Sequence, residues 1–138
     1  MVHRALTPAA VLVTDGGHAV LTGFDYAKPG PRNYTVAHEL GNILDAAYVA
    51  PECQERADLM TTASDVYAAG VIAFQLLTGQ LPTSGDAHGP DVPEVVRRML
   101  DHSPAKRPSA AEALEMLRST PVQGSRLRRF VRRIVSRS

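Results

Sequence analysis

Few side chains in this sequence are spaced for chemistry. Cys53 is the one cysteine. To act as a nucleophile it would need a base or a positive setting to hold it as thiolate, and no histidine partner is indicated for it. It reads as an idle or buried thiol. A single Cys also excludes an internal disulfide and a Cys-based zinc site. His18, His38, His88 and His102 show no metal-ligand spacing and read as surface or loop residues, so no metal site is expected. Gly16-Gly17 precedes no helix start, so it reads as a hairpin turn and not as a phosphate cradle.

The densest chemistry lies at the C-terminus. Six of the fifteen Lys and Arg side chains fall in residues 126–138, with no acid among them. That leaves residues 1–125 with nine basic against fourteen acidic groups. Leu127, Phe130, Val131, Ile134 and Val135 recur at helical spacing, and Arg126, Arg128, Arg129, Arg132 and Arg133 fill the rest of the circumference. Three readings stand open for this basic amphipathic tail. Its apolar stripe caps the body, with the arginines merely solvated. It lies on an anionic membrane surface or an acidic protein. Or, ranked third, it contacts nucleic-acid phosphates, with nothing present to read bases.

The elements that position these groups follow from the pattern. Ser64–Gly79, SDVYAAGVIAFQLLTG, has Gln75 as the only strongly polar side chain between Tyr67 and Leu77. A helix apolar on nearly every face is a buried one, and this run is too short to span a bilayer. Ser64 is the expected N-cap, Asp65 suits the positive end of the helix dipole, and Gly79 suits a left-handed C-terminal position. Val11–Thr14 and Ala19–Thr22 read as two short strands around a Gly turn. Residues 28–38 and 80–92 read as loops. Glu39–Ala46 reads as a short helix or an irregular segment. Pro93–Leu100 reads as a helix with Val95, Val96, Met99 and Leu100 on its apolar face. Ser109–Leu117 reads as another, with Ser109 as N-cap, Glu112 completing a capping box, and Ala113, Leu114 and Leu117 inward. The expected architecture is mainly α with one small β-hairpin, in two parts: a body over 1–120 and the basic tail over 121–138.

At 138 residues with 44% hydrophobic side chains and no Trp, the chain is one domain or less, with an aliphatic core. MVHRALTP lacks the apolar run of a signal peptide, and no transmembrane segment is present, so a cytoplasmic location is expected, membrane-peripheral if the tail binds lipid. Lysine occurs only as Lys28 and Lys106, a bias expected of a GC-rich bacterial genome.

The order of short motifs carries a family resemblance. His3-Arg4-Ala5-Leu6-Thr7-Pro8-Ala9-Ala10-Val11-Leu12-Val13 resembles the catalytic loop and following strand of protein kinases. Leu21-Thr22-Gly23-Phe24-Asp25-Tyr26-Ala27-Lys28 resembles their metal-binding segment. Tyr48-Val49-Ala50-Pro51-Glu52 resembles the motif that closes the activation segment. Ser64-Asp65-Val66-Tyr67, through Gly70 to Leu77-Thr78-Gly79, resembles the helix that anchors the large lobe, and Lys106-Arg107-Pro108-Ser109 the late Arg-Pro motif. Five motifs in family order cover residues 2–117, nearest in flavour to bacterial serine/threonine kinases. The resemblance implies an incomplete kinase-like C-terminal lobe.

What it implies for activity is selective. Phosphoryl transfer needs a carboxylate to receive the hydroxyl proton and Mg²⁺ ions to clamp the phosphates. The family's catalytic Asp falls on Ala5, its neighbouring Lys on Thr7, its metal-binding Asn on Ala10 and its metal-binding Asp on Gly23. All four roles are vacant, so no catalytic residue is assigned. Asp25 is the candidate substitute acid, with Asp15 a second, and an acid in a turn is the plainer reading of Asp25. The structural positions are kept. His3 and Phe24 match an internal apolar stack, Asp65 an acid that bonds the catalytic-loop backbone, and Glu52 and Arg107 a buried ion pair. Arg4 matches a residue that binds a phosphorylated activation segment, with Tyr34 and Thr35 as acceptors.

The small lobe, with its Gly-rich loop, nucleotide-binding Lys and helix Glu, is missing from the pattern, and the stretch from Gly79 to Lys106 is short. The expectation is therefore a truncated pseudokinase-like module with a binding or regulatory role and no cofactor. Its open surface would be covered by another protein or by a preceding segment of a longer chain. The alternative is the C-terminal part of a serine/threonine kinase that uses ATP and Mg²⁺ once completed by a small lobe.

Overall fold

The computed structural model describes residues 1–27, 45–83, 89 and 91–120. The tail arginines Arg126, Arg128, Arg129, Arg132 and Arg133 lie outside them, as do Tyr34, Thr35, His38 and His88. The described part is mainly helical with one two-stranded antiparallel sheet, as the sequence pattern predicts.

Strands β1 (Val11–Val13) and β2 (Ala19–Leu21) pair in the register Val11↔Leu21, Leu12↔Val20, Val13↔Ala19. The turn closes as expected around Gly17, whose φ of 77° is open to glycine without strain. Thr14 and His18 exchange bonds across it: the Thr14 N–H donates to the His18 carbonyl at 3.0 Å, and the His18 N–H to Thr14 Oγ1 at 3.1 Å.

Helix α1 (Thr62–Thr78) is the element the others pack around. Its N-cap lies three residues before the expected Ser64. Thr61 is the N-cap, and Ser64 sits at the third helical position as its capping-box partner. The Ser64 hydroxyl accepts the Thr61 N–H at 3.1 Å and also turns inward to Glu52, a use that would be lost at the cap itself. Gly79 ends the helix at φ 79°, its N–H on the Gln75 carbonyl at 2.8 Å. Val71 is fully buried, whereas Leu76 is exposed, so the helix is central without being covered all round.

Helix α2 (Glu94–Met99) brings Val95, Val96 and Met99 onto Val66, Ala73 and Phe74 of α1, with Leu100 packed alongside. Helix α3 (Ala110–Ser119) adds Ala113, Met116 and Leu117. Its N-terminus is capped as predicted: the Ser109 N–H donates to Glu112 Oε2 at 2.7 Å, and the Glu112 N–H to Ser109 Oγ at 3.2 Å. Leu114 is a correction: it is exposed, because the contact face of α3 runs through 113, 116 and 117.

Gly70 is required where α1 meets α2. A Cβ there would lie 2.9 Å from Met99 Cβ and 3.3 Å from Leu100 Cδ2, closer than packed carbons come. Gln75, the lone polar side chain of the helix core, accepts the Tyr48 hydroxyl at 2.7 Å. This bond satisfies both groups and ties the segment before Pro51 to α1.

Candidate functional site

Two polar constellations flank the first half of α1. The first is built on Asp65. Its two carboxylate oxygens accept the His3 N–H at 2.7 Å and the Arg4 N–H at 3.0 Å, tying the start of the chain to the first turn of the helix. His3 is buried, and its Nε2 lies 2.7 Å from the Thr22 carbonyl. A carbonyl only accepts, so Nε2 carries the proton, and Nδ1 is free to take the Ala5 N–H at 3.4 Å. The ring thereby joins the segment before β1 to the segment after β2. Arg4 adopts φ 73°, the one described non-glycine residue in the left-handed region. Such a backbone persists only where surrounding contacts hold it, here the Asp65 carboxylate.

Around this anchor stand the positions at which phosphoryl-transfer groups are expected. Ala5 offers a methyl, and Ala10 is buried with a methyl. Gly23, at φ 73°, offers no side chain. A Cβ built on Gly23 would lie 3.9 Å from Ala10 Cβ and 4.0 Å from His3 Cε1. The two expected metal-binding positions are therefore side by side, and neither supplies a donor atom. Thr7 leaves a hydroxyl where the resemblance expects an ammonium. Among the described residues, no group of three or more His, Cys, Asp and Glu is placed to hold a metal ion. Asp25 is exposed in the short turn Phe24–Tyr26, in no ion pair among the described residues. Phe24 is a partial correction: its ring meets His3 edge-on at 4.8 Å, but 45% of the residue is exposed, so the pair is not enclosed in an apolar stack.

Beside Arg4, Thr7, Asp45, Tyr48 and Asp65 lies a cavity of about 20 Å³. That is room for one water and far below the several hundred Å³ of an ordinary small-molecule site.

The second constellation joins Glu52 to Arg107. The guanidinium is fully buried and uses all five of its N–H donors. Nη1 and Nη2 reach Glu52 Oε1 at 2.7 Å and Oε2 at 2.8 Å, and the Ala63, His102 and Asp101 carbonyls take the rest at 3.1, 3.2 and 2.8 Å. It also lies over the Tyr67 ring at 4.9 Å. Burial alone would push the Glu52 carboxyl up. The Arg107 hydrogen bonds and charge, together with a backbone N–H and Ser64, outweigh it and hold the carboxyl below its ordinary value. Ser64 gives its one hydroxyl hydrogen to Glu52 Oε1 at 3.2 Å, so the Cys53 thiol, 3.3 Å away, is the donor to Ser64 Oγ. Burial pushes the Cys53 thiol up, in keeping with that donor role and opposed to nucleophilic use.

The sequence pattern did not signal Ser64 as the bridge between Cys53, Glu52 and the helix cap, nor the three carbonyls around Arg107. His18 and His102 are exposed; His102 enters the second constellation through its carbonyl alone.

Both anchors tie distant segments to the first turns of one helix, consistent with the kinase C-terminal lobe that the motifs resemble. Residues 1–135 match the family model for protein tyrosine and serine/threonine kinases. The chain belongs to that family. It is 34% identical over 110 residues to the serine/threonine-protein kinase PrkC of Bacillus subtilis, covering 80% of this chain and 16% of that protein. To the probable serine/threonine-protein kinase PknB of Lactococcus lactis it is 39% identical over 88 residues, 63% of this chain and 14% of the relative. To the serine/threonine-protein kinase PkaA of Streptomyces coelicolor it is 35% identical over 143 residues, 86% of this chain and 25% of the relative. The chain thus spans a quarter or less of the length of these relatives. No helix among the described residues is long and apolar enough to cross a membrane.

Proposed function

We propose that this chain is a non-catalytic kinase-family module that acts by binding a protein partner rather than by transferring phosphate. The observation that supports this is the contrast between Asp65, which still holds the His3 and Arg4 amides, and the neighbouring Ala5, Ala10 and Gly23, which offer no carboxylate or amide side chain. Transition-state charge in phosphoryl transfer is stabilised by placed metal ions and polar groups, and without them positioning has nothing to act on. No cofactor is proposed. Calorimetric titration of the chain with Mg²⁺ and ATP is expected to give no binding heat; clear metal-dependent binding would overturn the reading.

A second reading is favoured by the comparisons alone, since the relatives are named as kinases and the chain spans only part of them. On it, the chain is one piece of an active enzyme completed by a small lobe, with Asp25 recruited as the acid. Radiolabel transfer from ATP by the chain reconstituted with a relative's small lobe, and its loss in Asp25→Ala, would establish that reading in place of the first.

A further inference from the structure

The chain has four methionines, and all of them lie among the described residues. Met60 and Met99 are closed off, at 5% and 7% exposed, and Met1 is open at 76%. Met116, on α3, stands between these extremes. It is half-buried and packs against the core that α1 and α2 share. Its sulfur meets a cation: Arg98 Nη1, on α2, donates to Met116 Sδ at 3.6 Å. A thioether is a weak acceptor for such a donor. Arg98 is in no ion pair among the described residues, so no carboxylate holds the guanidinium elsewhere. The contact is made entirely between two helices of this chain and joins α2 to α3.

We propose that Met116 is an oxidisable site whose sulfoxide is held by Arg98, so that a hydroperoxide tightens the contact between α2 and α3. Hydrogen peroxide is the simplest oxidant of that class. A sulfur lone pair attacks one peroxide oxygen, and the S–O bond forms as the O–O bond breaks. The hydroxide that leaves takes the proton carried by the transferred oxygen and departs as water. Sulfur is oxidised by two electrons and the peroxide is reduced by them. The Arg98 N–H beside the sulfur stabilises the negative charge that develops on the leaving oxygen. In the product, the new oxygen accepts from the guanidinium, and a charge-assisted bond replaces a weak N–H···S contact. Sulfoxidation ordinarily disrupts a core, because it turns an apolar side chain into a polar, chiral one. Met60 packs with Ala50 and Cys53, and Met99 with Val95 and Val96, where an added oxygen would have to be fitted among apolar groups. At Met116 the oxygen meets a cation at the edge of the core. Methionine sulfoxide reductases reverse the step, which makes the site a two-way one.

The test is treatment of the full chain with hydrogen peroxide, read by mass mapping of its peptides over time and by thermal melts followed by circular dichroism. Met1 is the internal standard for an open thioether. Met116 is expected to oxidise several-fold faster than Met60 and Met99. The melting temperature of the oxidised chain is expected to hold or rise. Arg98 is exposed, so Arg98→Leu leaves the core as it is. In that variant the oxidised chain is expected to melt several degrees below the reduced one, because the sulfoxide has lost its donor. Adding Met116→Leu to Arg98→Leu is expected to abolish that fall, which separates Met116 from Met1. Arg98→Ala repeats the comparison should Arg98→Leu fail to fold. Oxidation of Met116 no faster than that of Met60 and Met99 would overturn the proposal. So would an equal change in melting temperature with and without Arg98.

Discussion

Removing Arg107 tests the structural half of this reading most directly. In Arg107→Met the apolar stem is approximately kept, while five N–H donors disappear. Glu52, 15% exposed, loses both charged bonds, and the Ala63, His102 and Asp101 carbonyls each lose a hydrogen bond. Breaking a buried pair from one side costs about 3–5 kcal/mol, because the remaining charge stays buried without compensation. That is a large share of the roughly 5–15 kcal/mol by which a domain is stable. The pH dependence identifies the cause. In the native protein the folded Glu52 carboxyl lies below its ordinary value near 4.5. Its contribution is therefore fully present above pH 4.5 and is lost as pH falls through the lower folded value. In Arg107→Met, burial acts with most of its opposition gone and raises the carboxyl, so acidification relieves the buried charge. The stability gap between variant and wild type is expected to narrow from pH 7 to pH 4.5. Replacing both partners together, Glu52→Leu with Arg107→Met, is expected to recover much of the loss. Urea denaturation followed by circular dichroism at the two pH values measures all three. A loss below about 1 kcal/mol for Arg107→Met, or a gap that does not change with pH, would refute the assignment of the pair as the lock between the Pro51 segment and α1.

Two further outcomes follow from the glycines. Gly70→Ala would ordinarily stabilise a helix by about 1 kcal/mol. Here its Cβ would fall 2.9 Å from Met99 Cβ, and overpacking of that kind costs about 1–3 kcal/mol. The melting temperature is therefore expected to fall by a few degrees, and further in Gly70→Val; an unchanged or raised value would show that α1 and α2 separate freely. The double variant Ala10→Asn/Gly23→Asp restores donors at two adjacent positions where the space accepts a Cβ, against a backbone strain of about 1–3 kcal/mol at φ 73°. Water-proton relaxation in Mn²⁺ titrations is expected to show binding by the double variant and none by the wild-type chain. Equal binding by both would mean that other groups hold the metal.

Local chemistry made some elements legible and left others dark. The hairpin turn and the Ser109–Glu112 capping box were readable because the groups that form them lie within a few residues of each other. The start of α1 was misplaced because Thr61 and Ser64 are both competent caps. The choice between them is set by Glu52, twelve residues away, which needs the Ser64 hydroxyl inside. Leu114 was expected inward from the helical pattern and Phe24 from the family resemblance, yet burial depends on which neighbours arrive, and that is not written in the local pattern. Gln75 stood out in an apolar helix, but nothing near it pointed to Tyr48 as its partner. The Glu52–Arg107 pair, fifty-five residues apart, was visible only through the family resemblance.

The two constellations differ in what a substitution leaves behind, and that difference supports treating the vacant positions as a coherent set. Losing either member of the Glu52–Arg107 pair strands the charge of the other, and losing Arg107 also takes a hydrogen bond from three carbonyls; losing Asp65 strands two backbone N–H groups and a left-handed Arg4. No comparable network depends on a carboxylate at the partly exposed Ala5 or on a side chain at the exposed Gly23. Stability therefore restrains the first group whatever the chain does, and only chemistry restrains the second. Folding alone keeps Glu52, Asp65 and Arg107 in place. On the proposed non-catalytic reading, the methyl groups at Ala5 and Ala10 and the bare backbone at Gly23 are what such a lobe becomes when the demand for phosphate transfer is lifted and the demand to fold is not.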